Sequence, residues 1–179
     1  GNTTAIAFGG NNRAALTEEW NVSAFTIQGA SWSSGGNMGT ARYNLGSAIA
    51  GTQTAALGFG GHEPLRAHTE EYNGSTWAEQ NDLNTARAQL AGSGTQTAGL
   101  GYSGYRGGSG ALTTSEEYDG TNWTSGGTLG TARYVVHSTQ GTQTASFLAG
   151  GLVSPSTVLS VVEEYNGSSW SEVNNLPAG

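Results

Sequence analysis

The chain reads as short β-type runs broken by turn residues, with no long stretch of helical period. In its second quarter the runs are Tyr43 to Ala50, Thr54 to Gly61, Thr69 to Tyr72 and Ser75 to Asp82, lengths and boundaries that predict four strands. The same order returns four times. Gly-Thr-Gln-Thr-Ala begins at Gly51, Gly94 and Gly141, with a variant over Gly1 to Ala5. A Glu-Glu-aromatic triplet follows at Glu18 to Trp20, Glu70 to Tyr72, Glu116 to Tyr118 and Glu163 to Tyr165. Then comes a tryptophan, at Trp32, Trp77, Trp123 and Trp170, spaced by 45, 46 and 47 residues. Thr-Ala-Arg closes three of the units at Arg42, Arg87 and Arg133. A unit of about 46 residues made of short strands and turns fits one blade of a β-propeller.

Turn chemistry inside the unit predicts its pairing. Asn73-Gly74, with Asp119-Gly120 and Asn166-Gly167 in the later units, predicts a two-residue type I′ hairpin. That register sets Tyr72 opposite Ser75, Glu71 opposite Thr76 and Glu70 opposite Trp77. Glu70, Tyr72 and Trp77 then share one face and Glu71 points to the other, because side chains alternate along a strand. Gly60-Gly61 ends the second strand, as do Gly9-Gly10 and Gly150-Gly151, while the third unit has Ser103-Gly104 there.

A double glycine after an apolar strand, a Glu-Tyr pair, a tryptophan shortly after and an arginine before the next strand resemble the kelch repeat, over essentially the whole chain. In style the Thr-, Asn- and Gly-rich, Lys-free units also resemble kelch-like arrays of bacteriophage virion and tail proteins. The resemblance implies an all-β, kelch-like β-propeller: one domain, 1–179, with four visible repeats of four-stranded antiparallel blades at about 1–42, 43–87, 88–133 and 134–179. The first unit starts at its second strand, and Leu176 to Gly179 aligns with Leu83 to Ala86. The expectation is a fragment of a longer array or an incomplete ring, with an unpaired strand edge prone to pairing with another chain.

Composition narrows the chemistry. All six basic residues are arginine and the net charge is -7, so the cationic footprint that nucleic acid requires is missing. No apolar run reaches the roughly 20 residues that span a bilayer, and membrane insertion is not expected. With no cysteine there is no disulfide, thiolate metal site or cysteine nucleophile.

Eight of the 13 acidic residues lie in the Glu-Glu pairs and three of the six arginines in Thr-Ala-Arg, so most charge belongs to the repeat. A carboxylate on a packed face needs a partner, and the repeated arginine is the candidate. Glu70, Tyr72, Trp77, Arg87, Glu116, Tyr118, Trp123 and Arg133 are therefore expected to be structural. Adjacent strand residues face opposite ways, so Glu70 and Glu71 do not form the carboxylate pair of a glycosidase. His62, His68 and His137 lack the spacing and companions of a zinc site. The stretch Gly101 to Gly110 lacks the lysine and following helix of a phosphate loop and reads as a flexible insertion. Neither metal, cofactor nor catalytic residue is assigned.

Comparison between units points to the connection after the second strand, which varies while the hairpin and Gly-Thr-Gln turn hardly do. These connections, Asn11 to Leu16, His62 to His68, Ser103 to Thr114 and Leu152 to Ser160, emerge on the same rim as the Thr-Ala-Arg segments in an up-and-down blade. Loops on a rigid scaffold commonly carry function, and Arg13, His62, Arg66, His68, Tyr105 and Arg106 are the candidate binding residues. The expected function is a non-enzymatic structural and recognition module, on a virion or outside a cell, binding a protein or glycan through this rim. Self-association or assembly with other virion subunits belongs to the same expectation. A glycan-binding lectin is one alternative; a kelch-type enzyme, with His62, Glu63, Arg66 and His68 converging in a pocket, is another.

Overall fold

The computed structural model describes residues 4–8, 17–21, 31–135 and 138–177. Arg13, His137 and the Gly9-Gly10 pair lie outside the described residues. The first sheet contains β1 (Thr4–Phe8), β2 (Thr17–Asn21) and β3 (Ser31–Ser34) in that order. The second contains β4 (Gly46–Ser47), β5 (Ala56–Phe59), β6 (Thr69–Tyr72) and β7 (Trp77–Gln80). The third contains β8 (Ala91–Thr95), β9 (Ala98–Tyr102), β10 (Ser115–Tyr118) and β11 (Trp123–Ser125). The fourth is built from β12 (Ser138–Gly141), β13 (Ser146–Ala149), β16 (Val162–Tyr165) and β17 (Trp170–Glu172), with a separate hairpin of β14 (Leu152–Ser154) and β15 (Thr157–Val158) inserted. Every pairing is antiparallel between neighbours in sequence within its blade, so each unit makes one meander, and the meanders succeed one another as propeller blades.

The hairpin register differs from the sequence expectation. Tyr72 lies opposite Trp77, Glu71 opposite Ala78 and Glu70 opposite Glu79; the loop holds four residues, not two. Asn73 is the cause: its Oδ1 accepts from the N–H groups of Ser75 (3.0 Å) and Thr76 (2.9 Å), an Asx turn in which Gly74 alone takes positive φ, +92°. A type I′ turn needs positive φ at both central residues. Asp119 and Asn166 build the same turn. The register moves by two residues, which preserves alternation, so Glu70, Tyr72 and Trp77 still share a face.

That face meets the preceding blade and the opposite face meets the following one. Leu57 and Phe59 of the second blade are fully buried and form one apolar cluster with Tyr118 and Trp123 of the third. Leu100 and Tyr102 of the third do the same with Leu148, Tyr165 and Trp170 of the fourth. Such close stacking leaves no room for a Cβ at Gly92, where one would stand 2.3 Å from the Ser47 carbonyl oxygen of the preceding blade. The stretch 101–110 is not the free excursion its composition suggests: Tyr105 bridges both Ala88 and Ala111, and Arg106 N–H bonds the Gly110 carbonyl at 3.0 Å.

Candidate functional site

Repeated side chains staple each blade to the next. Trp77 Nε1–H donates to Thr17 Oγ1 (2.7 Å), Trp123 Nε1–H to Thr69 Oγ1 (2.8 Å) and Trp170 Nε1–H to Ser115 Oγ (3.4 Å). Turn glutamines reach back as well: Gln96 Nε2 donates to the carbonyls of Ala56 and Tyr72, and Gln143 Nε2 to those of Gly99 and Tyr118. Tyr118 donates its hydroxyl hydrogen to Glu71 at 3.0 Å, and Tyr165 to Glu117. Burial, aided by those carboxylates, raises both phenols, Tyr165 to about 12.

The first glutamate of the pairs in the second, third and fourth units is held at the joint between blades. Arg42 pairs with Glu70, Arg87 with Glu116 at 2.6 Å, and Arg133 with Glu163. Main-chain N–H groups complete the carboxylates, from Gly39 to Glu70 (2.6 Å), Asn84 to Glu116 (2.6 Å) and Gly130 to Glu163 (2.7 Å). Arg87 also donates to the carbonyls of Ser103 and Thr114. Burial lowers the Arg87 and Arg133 guanidinium pKa values, opposed by their glutamates. All three arginines are essentially inaccessible, as paired interior charges must be.

The rim is where the units differ. A main-chain ladder of three residues runs across it: Gln89 N–H bonds the Asn44 carbonyl (2.8 Å) and Val135 N–H bonds the Gln89 carbonyl (3.0 Å). These residues occupy one repeat position and all are left-handed, with φ of 54°, 54° and 53°. Asn tolerates that conformation; a β-branched valine is strained there. Immediately beside the ladder, Tyr105 of the third unit's variable loop and Tyr134 hold their rings 5.4 Å apart, tilted by 49°. Tyr134 and Leu152 exchange main-chain hydrogen bonds of 2.9 Å, which brings the fourth unit's variable segment to the same spot. Together they enclose a cavity of about 610 Å³ whose walls include Gln89, Tyr105, Tyr134, Val135, Val153 and Pro155. Among the described residues its walls carry no carboxylate, imidazole or guanidinium.

The candidate binding residues do not converge on this cavity as a group. Tyr105 lines it, whereas Arg106 is exposed and absent from its walls. His62 Nδ1 meets the Tyr43 hydroxyl at 3.0 Å and Glu63 Oε2 at 3.7 Å, a half-exposed aromatic, imidazole and carboxylate group in the second unit. His68 turns instead toward Glu79, at 3.5 Å. Arg66 anchors the base of the same loop through its main chain, its N–H on the Gly61 carbonyl and its own carbonyl taking the Arg87 N–H. Among the described residues no cluster of three His, Asp or Glu has an arrangement that could hold a metal ion. Gln89, Tyr134 and Val135 escaped the sequence reading because they follow the invariant-looking Thr-Ala-Arg. The signal available was their own variation, Asn44, Gln89 and Val135 at one position.

No protein-family model matches the chain, and no curated protein does. Among solved structures it is similar to "Structure of YjhT", with a TM-score of 0.77 and 13% identity over 100% of this chain and 64% of that one. The chain thus spans 64% of the length of that neighbour. The likeness is one of fold, that of a kelch-like β-propeller.

Proposed function

We propose that the chain is a non-enzymatic structural and recognition module, a kelch-type propeller related to the arrays of phage virion and tail proteins, which binds a protein or glycan through its variable-loop rim. The observation that carries this reading is the cavity of about 610 Å³ between the third and fourth units, walled by the segments that vary most between units. Concave, mostly apolar sites with a few convergent polar groups are the usual form of ligand pockets. Here Gln89 and Ser154 supply the polar groups and the Tyr105 and Tyr134 rings the flat apolar surface. A second reading, a lectin, draws on the same two rings, since tilted phenols offer faces to the C–H side of a sugar. The module sits on a virion or cell exterior in either reading.

The test is a glycan array together with a display library of peptides, probed with the whole chain and with Tyr105→Ala and Val153→Asp. A ligand retained by the parent and lost by both variants, with unchanged melting curves, is the expected outcome. Glycan hits alone select the lectin reading. Ligands whose binding survives both substitutions would place recognition elsewhere and overturn the assignment of the cavity.

A further inference from the structure

The forward face of the fourth blade is built to receive another blade, but not one of the kind found in the rest of the chain. Leu57 and Leu100 are 0% exposed at the position where the fourth unit has Phe147 at 37%. Met38, Leu83 and Leu129 are 3%, 4% and 3% exposed, and the equivalent Leu176 is 47%. Val173, on the same face, is 38% exposed. Two sockets of the earlier joints recur: Glu164 stands where Glu71 and Glu117 accept a tyrosine hydroxyl, and Ser146 and Tyr165 stand where paired carbonyls accept a turn glutamine. A cleft of about 240 Å³ lies between Phe147, Glu164 and Tyr165.

Two other sockets are changed. Thr17, Thr69 and Ser115 accept an indole N–H from the following blade; the fourth unit has Val162 at this position. The N–H groups of Gly39, Asn84 and Gly130 serve the first glutamate of the following blade; the fourth unit has Pro177, which has no N–H. A tryptophan docking here would bury its indole N–H against methyl groups, and a glutamate would lose a main-chain donor, each leaving a polar group short of partners.

We infer that this face seats a β-sheet blade of altered chemistry, which keeps the turn glutamine and hairpin tyrosine but carries an apolar residue without N–H in the tryptophan place and no carboxylate in the first-glutamate place. The chain's own first unit is the wrong occupant on every count. It has Thr3 for the glutamine, Trp20 for the tyrosine, and retains Glu18 and Trp32. A second copy docking by its first blade is therefore not what the face selects. The inference rests on the blade joints and is independent of the rim cavity.

The test appends a copy of residues 87–132 after Gly179 of the whole chain, in two versions: unaltered, or with Trp123→Phe and the buried ion pair replaced as a unit, Arg87→Met with Glu116→Leu, in the copy. Each is placed on the parent and on a Val162→Thr, Pro177→Gly background. On the parent the altered copy is expected to raise the melting temperature by about 2–4 °C more than the unaltered one and to resist limited proteolysis better. On the second background the order reverses. The same order on both backgrounds overturns the inference, as does trimming of both copies with no change in melting. Sedimentation of the unfused chain as a dimer that Phe147→Glu abolishes would assign the face to a second copy and also overturn it.

Discussion

Replacing Arg87 by alanine removes a cation that is 1% exposed and leaves Glu116, 2% exposed, without its guanidinium. Breaking a buried ion pair by deleting one partner costs about 3–5 kcal/mol. Two features set the expected value at the low end, near 3 kcal/mol. Glu116 retains donors from Asn84 N–H, Asn84 Nδ2 and Thr85 N–H at 2.6, 2.9 and 3.3 Å, and an open cleft of about 240 Å³ beside the pair admits water to the carboxylate. Removing both charges, as Arg87→Met with Glu116→Leu, should recover most of the loss, because a packed apolar pair substitutes well for a buried ionic one. Arg106→Ala, at an exposed position, should change stability by less than about 0.5 kcal/mol. Urea unfolding followed by tryptophan fluorescence and circular dichroism measures all three, with coincidence of the two probes checking that the array melts as one unit. An Arg87→Ala loss within 1 kcal/mol of the Arg106→Ala value, or a double variant worse than the single, would refute the reasoning.

Trp123 is 5% exposed, packs on Phe59 and Tyr118 and donates to Thr69, so Trp123→Ala should cost about 3–5 kcal/mol. Trp77 is only half-buried, and Trp77→Ala should cost clearly less in the same urea series; equal losses would contradict the difference between the two joints. Val135→Asn places in the strained rim position the residue that the second unit has there, and should stabilise by about 1 kcal/mol, read from the shift in urea midpoint; a loss would show that the valine packs well enough to outweigh its backbone. Tyr165 has its pKa raised from 10.0 to about 12, first by burial and then by its bond to Glu117. The unfolded chain ionises first, so the stabilisation is full below pH 10 and lost as pH rises to about 12. Tyr165→Phe should flatten that decline, and an unchanged slope would remove the phenol from the account.

The repeat made the blades legible, because a four-fold recurrence of the same strands and turns admits few architectures. Side-chain parity was legible too: Glu70, Tyr72 and Trp77 share a face whichever even register the hairpin adopts. The register itself was not. Asn-Gly signals a turn but not its length, and here the Asn73 side chain captured two N–H groups and lengthened the loop. The staples from Gln96 and Gln143 were hidden because a glutamine in a tight turn looks like a solvent-facing residue, and its two acceptors are main-chain carbonyls of another blade. The partners of Glu71 and Glu117 were likewise hidden, because each is a tyrosine hydroxyl of the next blade. The rim cavity depends on how segments from two units approach each other, through Tyr134 with Leu152 and Tyr105 with Ala88, and no local pattern encodes that approach.

Hydrogen exchange of the indole N–H groups, followed by ¹⁵N-resolved NMR on the whole chain, addresses the face-to-face stacking of blades most directly. Trp123 and Trp170, 5% and 8% exposed and each bonded to a hydroxyl of the preceding blade, should exchange far more slowly than a free indole, and Thr69→Val should speed Trp123 alone. Rapid exchange at both tryptophans, or no response of Trp123 to loss of the Thr69 hydroxyl, would contradict the stacking.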